Sequence, residues 1–222
     1  MADEAEELAA AHALLRQAAD GEVEEEVRIH VPSSPVVAFG RRDTRLPGYE
    51  AAVAAARDAG FATAVRAVGG RAVAYTDRAV VVDHVRAEAG AVARMDSRFE
   101  EFGRRFATLL AGWGVDARVG PVPGEYCPGA HSVNARGEVK LVGTAQRVLP
   151  RAWLFSSLVV VGDRERIRDV LADVYGRLGL PFAVGAVGSL DSEVGGLTPD
   201  DVAEQVRRAW AVEPNVAGAT LV

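Results

Sequence analysis

The chain of 222 residues is 49% hydrophobic and 25% charged, enough apolar material for one globular domain with a substantial core. A net charge of -6 argues against nucleic acid or an anionic membrane as the main partner. A single cysteine excludes an intrachain disulfide framework and a cysteine-rich zinc site, and it suits a reducing compartment. The start, Met1-Ala2-Asp3-Glu4-Ala5-Glu6-Glu7, is acidic and lacks the basic and apolar stretches of a signal peptide. Apolar runs such as Val80-Val81-Val82 and Leu158-Val159-Val160-Val161 are too short to span a bilayer. The expectation is a soluble cytoplasmic protein with one domain over residues 1–222.

In chain order, Leu8, Ala11, Leu15 and Ala18 recur at helical spacing and predict a helix over 5–19, stopped by Asp20-Gly21. The acidic run Glu22 to Glu26 reads as a solvated turn. Val27 to Val31 alternates like a strand, with His30 as an edge-strand side chain, and Val36 to Phe39 is a second strand. Gly40-Arg41 ends it and offers a cation to an anion. A helix over Gly48 to Ala59 is capped by Gly60, and Ala62 to Arg66 is a strand. Gly69-Gly70 then fits a tight hairpin between two strands, or a place where backbone amides approach an acyl carbonyl or phosphate beside Arg66.

Ala79 to His84 is an apolar strand with His84 facing solvent at its end. Phe99, Phe102, Phe106, Leu109 and Trp113 make one stripe on a helix over Asp96 to Trp113, with Arg98, Glu101, Arg104 and Arg105 mostly off it. Val115 to Val119 is a strand, and Gly120-Pro121-Val122-Pro123-Gly124 a rigid linker. Trp153 to Val161 predicts a central strand buried on both faces. A helix follows over Asp163 to Leu178, closed by Gly179. Residues 185–196 read as a Gly-rich joint able to move, before a helix that starts at Thr198-Pro199-Asp200-Asp201 and runs to about Trp210.

The chemistry concentrates in residues 126–147. The only cysteine, Cys127, stands on a Tyr-Cys-Pro-Gly turn before a hairpin whose second arm carries the only lysine, Lys140. The thiolate is the reactive form of cysteine, and a nearby cation favours it. Gly143-Thr144-Ala145 is a small-residue run along which a ligand can lie close to the backbone. Every other basic side chain apart from the histidines is arginine, which cannot replace a compact ammonium at a tight site. His131, four residues after Cys127, is a candidate for an activating Cys–His pair.

Cys127-Pro128-Gly129, a short strand, and then Lys140-x-x-Gly143-x-Ala145-Gln146-Arg147 resembles the lipoate–protein ligase A and octanoyltransferase family, and within it the branch that moves an octanoyl group between proteins by way of a cysteine. Gly40-Arg41 is similar to that family's Gly-Arg after its second strand. Arg66, Gly69, Gly70, Ala72 and Val73 keep its Arg-x-x-Gly-Gly-Gly-Ala-Val-x-His pattern. Arg71 replaces the third glycine, where it would crowd or contact a nucleotide phosphate, and Tyr75 replaces the histidine. Ser132 stands where relatives usually carry an aspartate near the lysine.

The resemblance implies the biotin/lipoyl protein ligase catalytic fold: an α/β (α+β mixed) domain with a mixed, largely antiparallel sheet flanked by helices. It implies an acyltransferase in which Cys127 carries an octanoyl or lipoyl group as a thioester onto a lysine of a lipoyl-domain protein. Lys140 would serve as oxyanion partner, as anchor for the acyl carbonyl, or by lowering the thiol pKa. Arg66, Gly69, Gly70, Gly143, Thr144 and Ala145 would line the acyl slot. Lipoyl-domain proteins or acyl carrier protein would be partners, with no metal and no required cofactor. Two other readings stay open: an ATP-dependent lipoate–protein ligase using ATP and Mg, with Cys127 incidental, and a non-catalytic relative that binds an acyl chain or a lipoyl domain.

Overall fold

The computed structural model of the chain describes residues 4–210. The elements run α1 (Glu4–Asp20), β1 (Glu25–His30), β2 (Val36–Phe39), α2 (Tyr49–Asp58), β3 (Ala62–Val65), β4 (Val73–Tyr75), β5 (Ala79–Ala87), α3 (Met95–Ala111), β6 (Ala117–Val119), β7 (Val133–Ala135), β8 (Val139–Leu149), β9 (Ala152–Val160), α4 (Arg164–Leu178), a short α5 (Leu190–Glu193) and α6 (Pro199–Trp210). Six strands form an antiparallel sheet in the order β1-β5-β9-β8-β7-β6, and a three-stranded sheet has the order β3-β2-β4. Its β2–β3 pair is parallel and its β2–β4 pair antiparallel. The expected mixed, largely antiparallel α/β architecture is therefore the one observed.

The large sheet buries different residues on its two faces because strand side chains alternate. On one face, Val80 and Val82 of β5 and Trp153, Phe155 and Val159 of β9 pack under Phe102, Phe106 and Leu110 of α3 and Val202, Val206 and Trp210 of α6. On the other, Leu154 and Val85 meet Ala11, Leu15 and Ala18 of α1. Val81, Leu158 and Val160 extend that second face toward the small sheet, α2 and α4. The cysteine turn is set into this last cluster through Tyr126 and Cys127.

Local chemistry explains several element ends. At α6 the Thr198 hydroxyl accepts the Asp201 N–H at 3.2 Å while the Asp201 carboxylate accepts the Thr198 N–H at 3.0 Å, a reciprocal cap. Gly179 closes α4 in the left-handed region at φ 66°.

Four sequence expectations change. The Gly69-Gly70 segment is not a hairpin: β3 and β4 both pair with β2, which lies between them. His84 is buried, with Nε2 2.6 Å from Glu25 and its ring on Trp153 and Phe102. Arg98 is only 2% exposed, because Gln146, the Ala91 carbonyl and the Trp153 face receive its guanidinium. Residues 185–196 are not a loose joint: Val187 bridges to Lys140, and Val187, Ser189 and Leu190 are fully buried.

Candidate active site

Cys127 sits on the loop between β6 and β7 with φ 43°, a left-handed conformation that a non-glycine residue holds only against strain. The surrounding residues fix it from four sides. Its N–H donates to the Tyr175 hydroxyl at 2.6 Å, and that hydroxyl donates onward to the Ala72 carbonyl at 2.9 Å. Its carbonyl accepts from Lys140 Nζ at 2.9 Å. Its sulfur accepts from Arg66 Nη2 at 3.1 Å and from the Arg71 N–H at 3.3 Å. One turn thus ties together α4, β8 and the β3–β4 connection.

Lys140 reaches this turn because of a bulge. Val133 pairs with Val142 and Asn134 with Lys140, so Leu141 is an extra residue on β8. The bulge brings Lys140 and Gly143 together, and a Cβ on Gly143 would lie 3.3 Å from Lys140 Cε. All three ammonium protons have partners: the Tyr126 carbonyl at 3.1 Å, the Cys127 carbonyl at 2.9 Å and Glu125 Oε2 at 2.8 Å. The Tyr126 ring adds a cation–π contact at 4.9 Å.

Glu125 was not among the sequence candidates. Its carboxylate also accepts the Ser132 hydroxyl at 2.7 Å and the Val122 N–H at 3.1 Å. Ser132 therefore steadies the carboxylate that pairs with Lys140, and the acid itself comes from seven residues earlier in the chain. The one available signal was an acid within an otherwise apolar, Pro- and Gly-rich run, Val122-Pro123-Gly124-Glu125-Tyr126. Tyr175 gave no signal, because its spacing on α4 fits a core aromatic.

Burial pushes the Cys127 thiol pKa up, but the charges of Arg66 and Lys140 and the hydrogen bonds from the Arg71 N–H and Arg66 outweigh it, so the pKa falls below its ordinary value. Burial chiefly, with the thiolate adding to it, raises the pKa of the Tyr175 phenol, so this group stays a donor.

Cys127 borders a narrow cavity that Arg66 and Lys140 also line, with Val68, Val73, Val81 and Leu158 as apolar wall. Tyr75 lines it too, as do Gly143 and Thr144. Of the six sequence-predicted binding residues, Arg66, Gly143 and Thr144 thus border this space. Gly70 lies outside it but against the sulfur: a Cβ there would come 2.5 Å from Cys127 Sγ. Gly69 is exposed and donates its N–H to the Gln146 carbonyl at 3.3 Å, away from the cavity. Ala145 packs with Ala11 and Leu15 of α1.

Asp43 takes the Arg71 guanidinium at 3.1 Å. His131 stacks on Phe99 at 5.7 Å and makes no hydrogen bond to Cys127 among the described residues, so the candidate Cys–His pair is not formed. Among the described residues no group of three or more His, Cys, Asp or Glu is placed to hold a metal ion. No helix among them is long and apolar enough to cross a membrane.

Two curated relatives, from Geobacillus kaustophilus and Anoxybacillus flavithermus, are both octanoyl-[GcvH]:protein N-octanoyltransferases. The first is 29% identical over 57% of this chain and 44% of its own length; the second is 32% identical over 61% and 48%. The chain thus matches about half the length of these relatives. In three dimensions it is similar to a lipoate-protein ligase A bound with ATP, with a TM-score of 0.70 at 20% identity, covering 92% of this chain and 78% of that one. The family model of the lipoyl protein ligase A/B catalytic domain matches residues 3–211. A match over nearly the whole chain, together with the shared fold, places the protein in the lipoyl protein ligase A/B catalytic domain family.

Proposed function

We propose that this protein transfers a medium-chain acyl group, octanoyl or lipoyl, from a carrier protein to a lysine of a lipoyl-domain protein through a thioester on Cys127. One observation carries the reading: Cys127 borders a cavity walled by Val68, Val73, Val81 and Leu158, and its sulfur is hydrogen-bonded by Arg66 and the Arg71 N–H. The names of the two relatives support octanoyl as the group and GcvH as a donor. Acyl carrier protein is a second donor to test.

The thiolate attacks the acyl carbonyl carbon. A C–S bond forms as the bond from that carbon to the donor's nitrogen or sulfur breaks, and the leaving group takes a proton from solvent. The ε-amine of the acceptor lysine then attacks the thioester. A C–N bond forms, the C–S bond breaks, the surplus proton passes to solvent, and the thiolate returns to its donors. Arg66 Nε is buried without a hydrogen-bond partner and is a donor available to the carbonyl oxygen as charge develops there. Lys140, its protons occupied, acts through its field on the sulfur and by holding the turn. No nucleotide or metal enters these steps, and residues 4–210 act as one catalytic unit in a reducing compartment such as the cytoplasm.

Intact-mass measurement after mixing with octanoylated GcvH tests the reading. The expected result is one octanoyl adduct on Cys127 and none on Cys127→Ala, which also loses transfer. A Cys127→Ala protein that still lipoylates its acceptor and consumes ATP would establish the ligase reading instead.

A further inference from the structure

Two shallow grooves lie outside the cavity, side by side, and one of them includes Gly70, which packs against the thiol. Leu8, His12, Arg41 and Val65 border one; Arg41, Arg42, Gly70 and Arg147 border the other. Ala67 and Arg41 are common to both, and no acidic side chain lines either, in a chain whose net charge is -6. Arg41 and Arg42 are exposed, and so is Arg16 of α1. The convergence of charge is felt at His12, whose pKa is lowered first by burial and then by Arg16, Arg147 and Arg41. Among these cations sits Val65, an apolar side chain left 47% exposed. Exposed Gly70 forms the groove floor directly over Cys127 Sγ, so a single backbone thickness separates this surface from the nucleophile.

We infer that this face docks the acidic surface of a carrier domain bearing the acylated lysine, with exposed Arg41 and Arg42 as the steering charges, half-buried Arg147 behind them and Val65 as an apolar contact in the groove that Arg41 also borders. A cationic rim round a small apolar patch selects and orients an anionic protein surface. An uncharged acyl donor would need neither. This inference rests on the acyl-transfer reading above and adds the recognition surface.

The test uses the full chain carrying Arg41→Glu and Arg42→Glu together, with two donors: octanoylated GcvH and the uncharged octanoyl thioester of N-acetylcysteamine. With the small thioester, Cys127 acylation in the variant should stay within about twofold of the parent, since neither arginine touches the thiol. With octanoylated GcvH, kcat/KM should fall at least about tenfold, and the parent's steep loss of rate with added salt should disappear. Unchanged carrier kinetics overturn the proposal. Unchanged carrier kinetics with lost ATP binding would assign the cations to a nucleotide phosphate. If neither donor acylates the parent, the acyl-transfer reading fails. Calorimetric binding of GcvH to Cys127→Ala, with and without the two arginine reversals, then decides docking separately.

Discussion

Glu125 and Lys140 form an ion pair of 2.8 Å with side chains 0% and 2% exposed. The pair is sealed under the cysteine turn, and the ammonium also holds the Tyr126 and Cys127 carbonyls. Charges so deeply buried are tolerated only while both partners and their hydrogen bonds are in place.

Glu125→Gln should therefore destabilise the protein by about 3–5 kcal/mol, because it strands a buried ammonium. Lys140→Met should cost a similar amount by stranding the carboxylate. The double variant should recover much of that stability yet remain impaired in acylation, since the turn loses its anchor and the thiol loses a positive field. Urea unfolding and Cys127 acylation rates on the three variants check this; a fully active double variant would remove Lys140 from the mechanism.

The thiol should titrate below the usual value of 9.0. Ultraviolet absorbance of the thiolate as a function of pH reads this directly. In Arg66→Gln the largest opposing charge is gone, burial is less opposed, and the midpoint should move upward. The sign for stability follows. With the folded pKa below the unfolded one, the unfolded chain binds more protons in between. The thiolate's contribution is thus fully present above the unfolded pKa and is lost as pH falls through the folded one. Unfolding measured across this window should show stability rising with pH in the parent and a shallower rise in Arg66→Gln.

Gly69→Ala and Gly70→Ala should differ sharply although the residues adjoin. At Gly69 the nearest atom to a new Cβ is 3.8 Å away, an ordinary contact. At Gly70 the Cβ would meet Cys127 Sγ at 2.5 Å and Arg66 Nη2 at 2.6 Å, on a backbone with φ 101°. Backbone strain alone there is on the order of 1–3 kcal/mol. Gly70→Ala is expected to separate the sulfur from Arg66 and raise the thiol midpoint, while Gly69→Ala leaves both acylation rate and midpoint close to the parent. Similar behaviour of the two would contradict the close packing of Gly70 on the thiol.

Tyr175→Phe removes one oxygen and leaves the Cys127 N–H and the Ala72 carbonyl without their partner in a buried setting. The expected cost is about 1–3 kcal/mol, read as a lower thermal midpoint. A core aromatic that merely filled space would give the same destabilisation and nothing more. If Tyr175 holds the left-handed backbone of Cys127, the thiolate titration should shift upward as well, because the sulfur drifts from Arg66.

Much of the architecture is legible in one dimension. The stripe Phe99, Phe102, Phe106 marks α3, the apolar run of β9 marks a central strand, and Thr198-Pro199-Asp200-Asp201 marks the start of α6. Periodicity records which face is buried, and capping is a matter of three or four neighbouring residues. Gly69-Gly70 misleads for the same reason. Glycines next to a short strand look like a hairpin, while the insertion of β2 between β3 and β4 is a property of the whole sheet.

The candidate nucleophile and its lysine are legible because each is the only residue of its type in the chain. Their surroundings are not. Arg66 lies 61 residues from Cys127 and the Arg71 N–H 56, yet both touch its sulfur; Tyr175, 48 residues on, holds its backbone. His131, only four residues away, turns instead to Phe99. Hydrogen bonds and buried charges act over a few ångströms of space, and separation along a chain does not measure that. Residue type and spacing alone determine which group can react and which faces are apolar. Only the packed fold decides which cation meets the thiol, which acid neutralises the lysine, and which glycine stands between the sulfur and the surface.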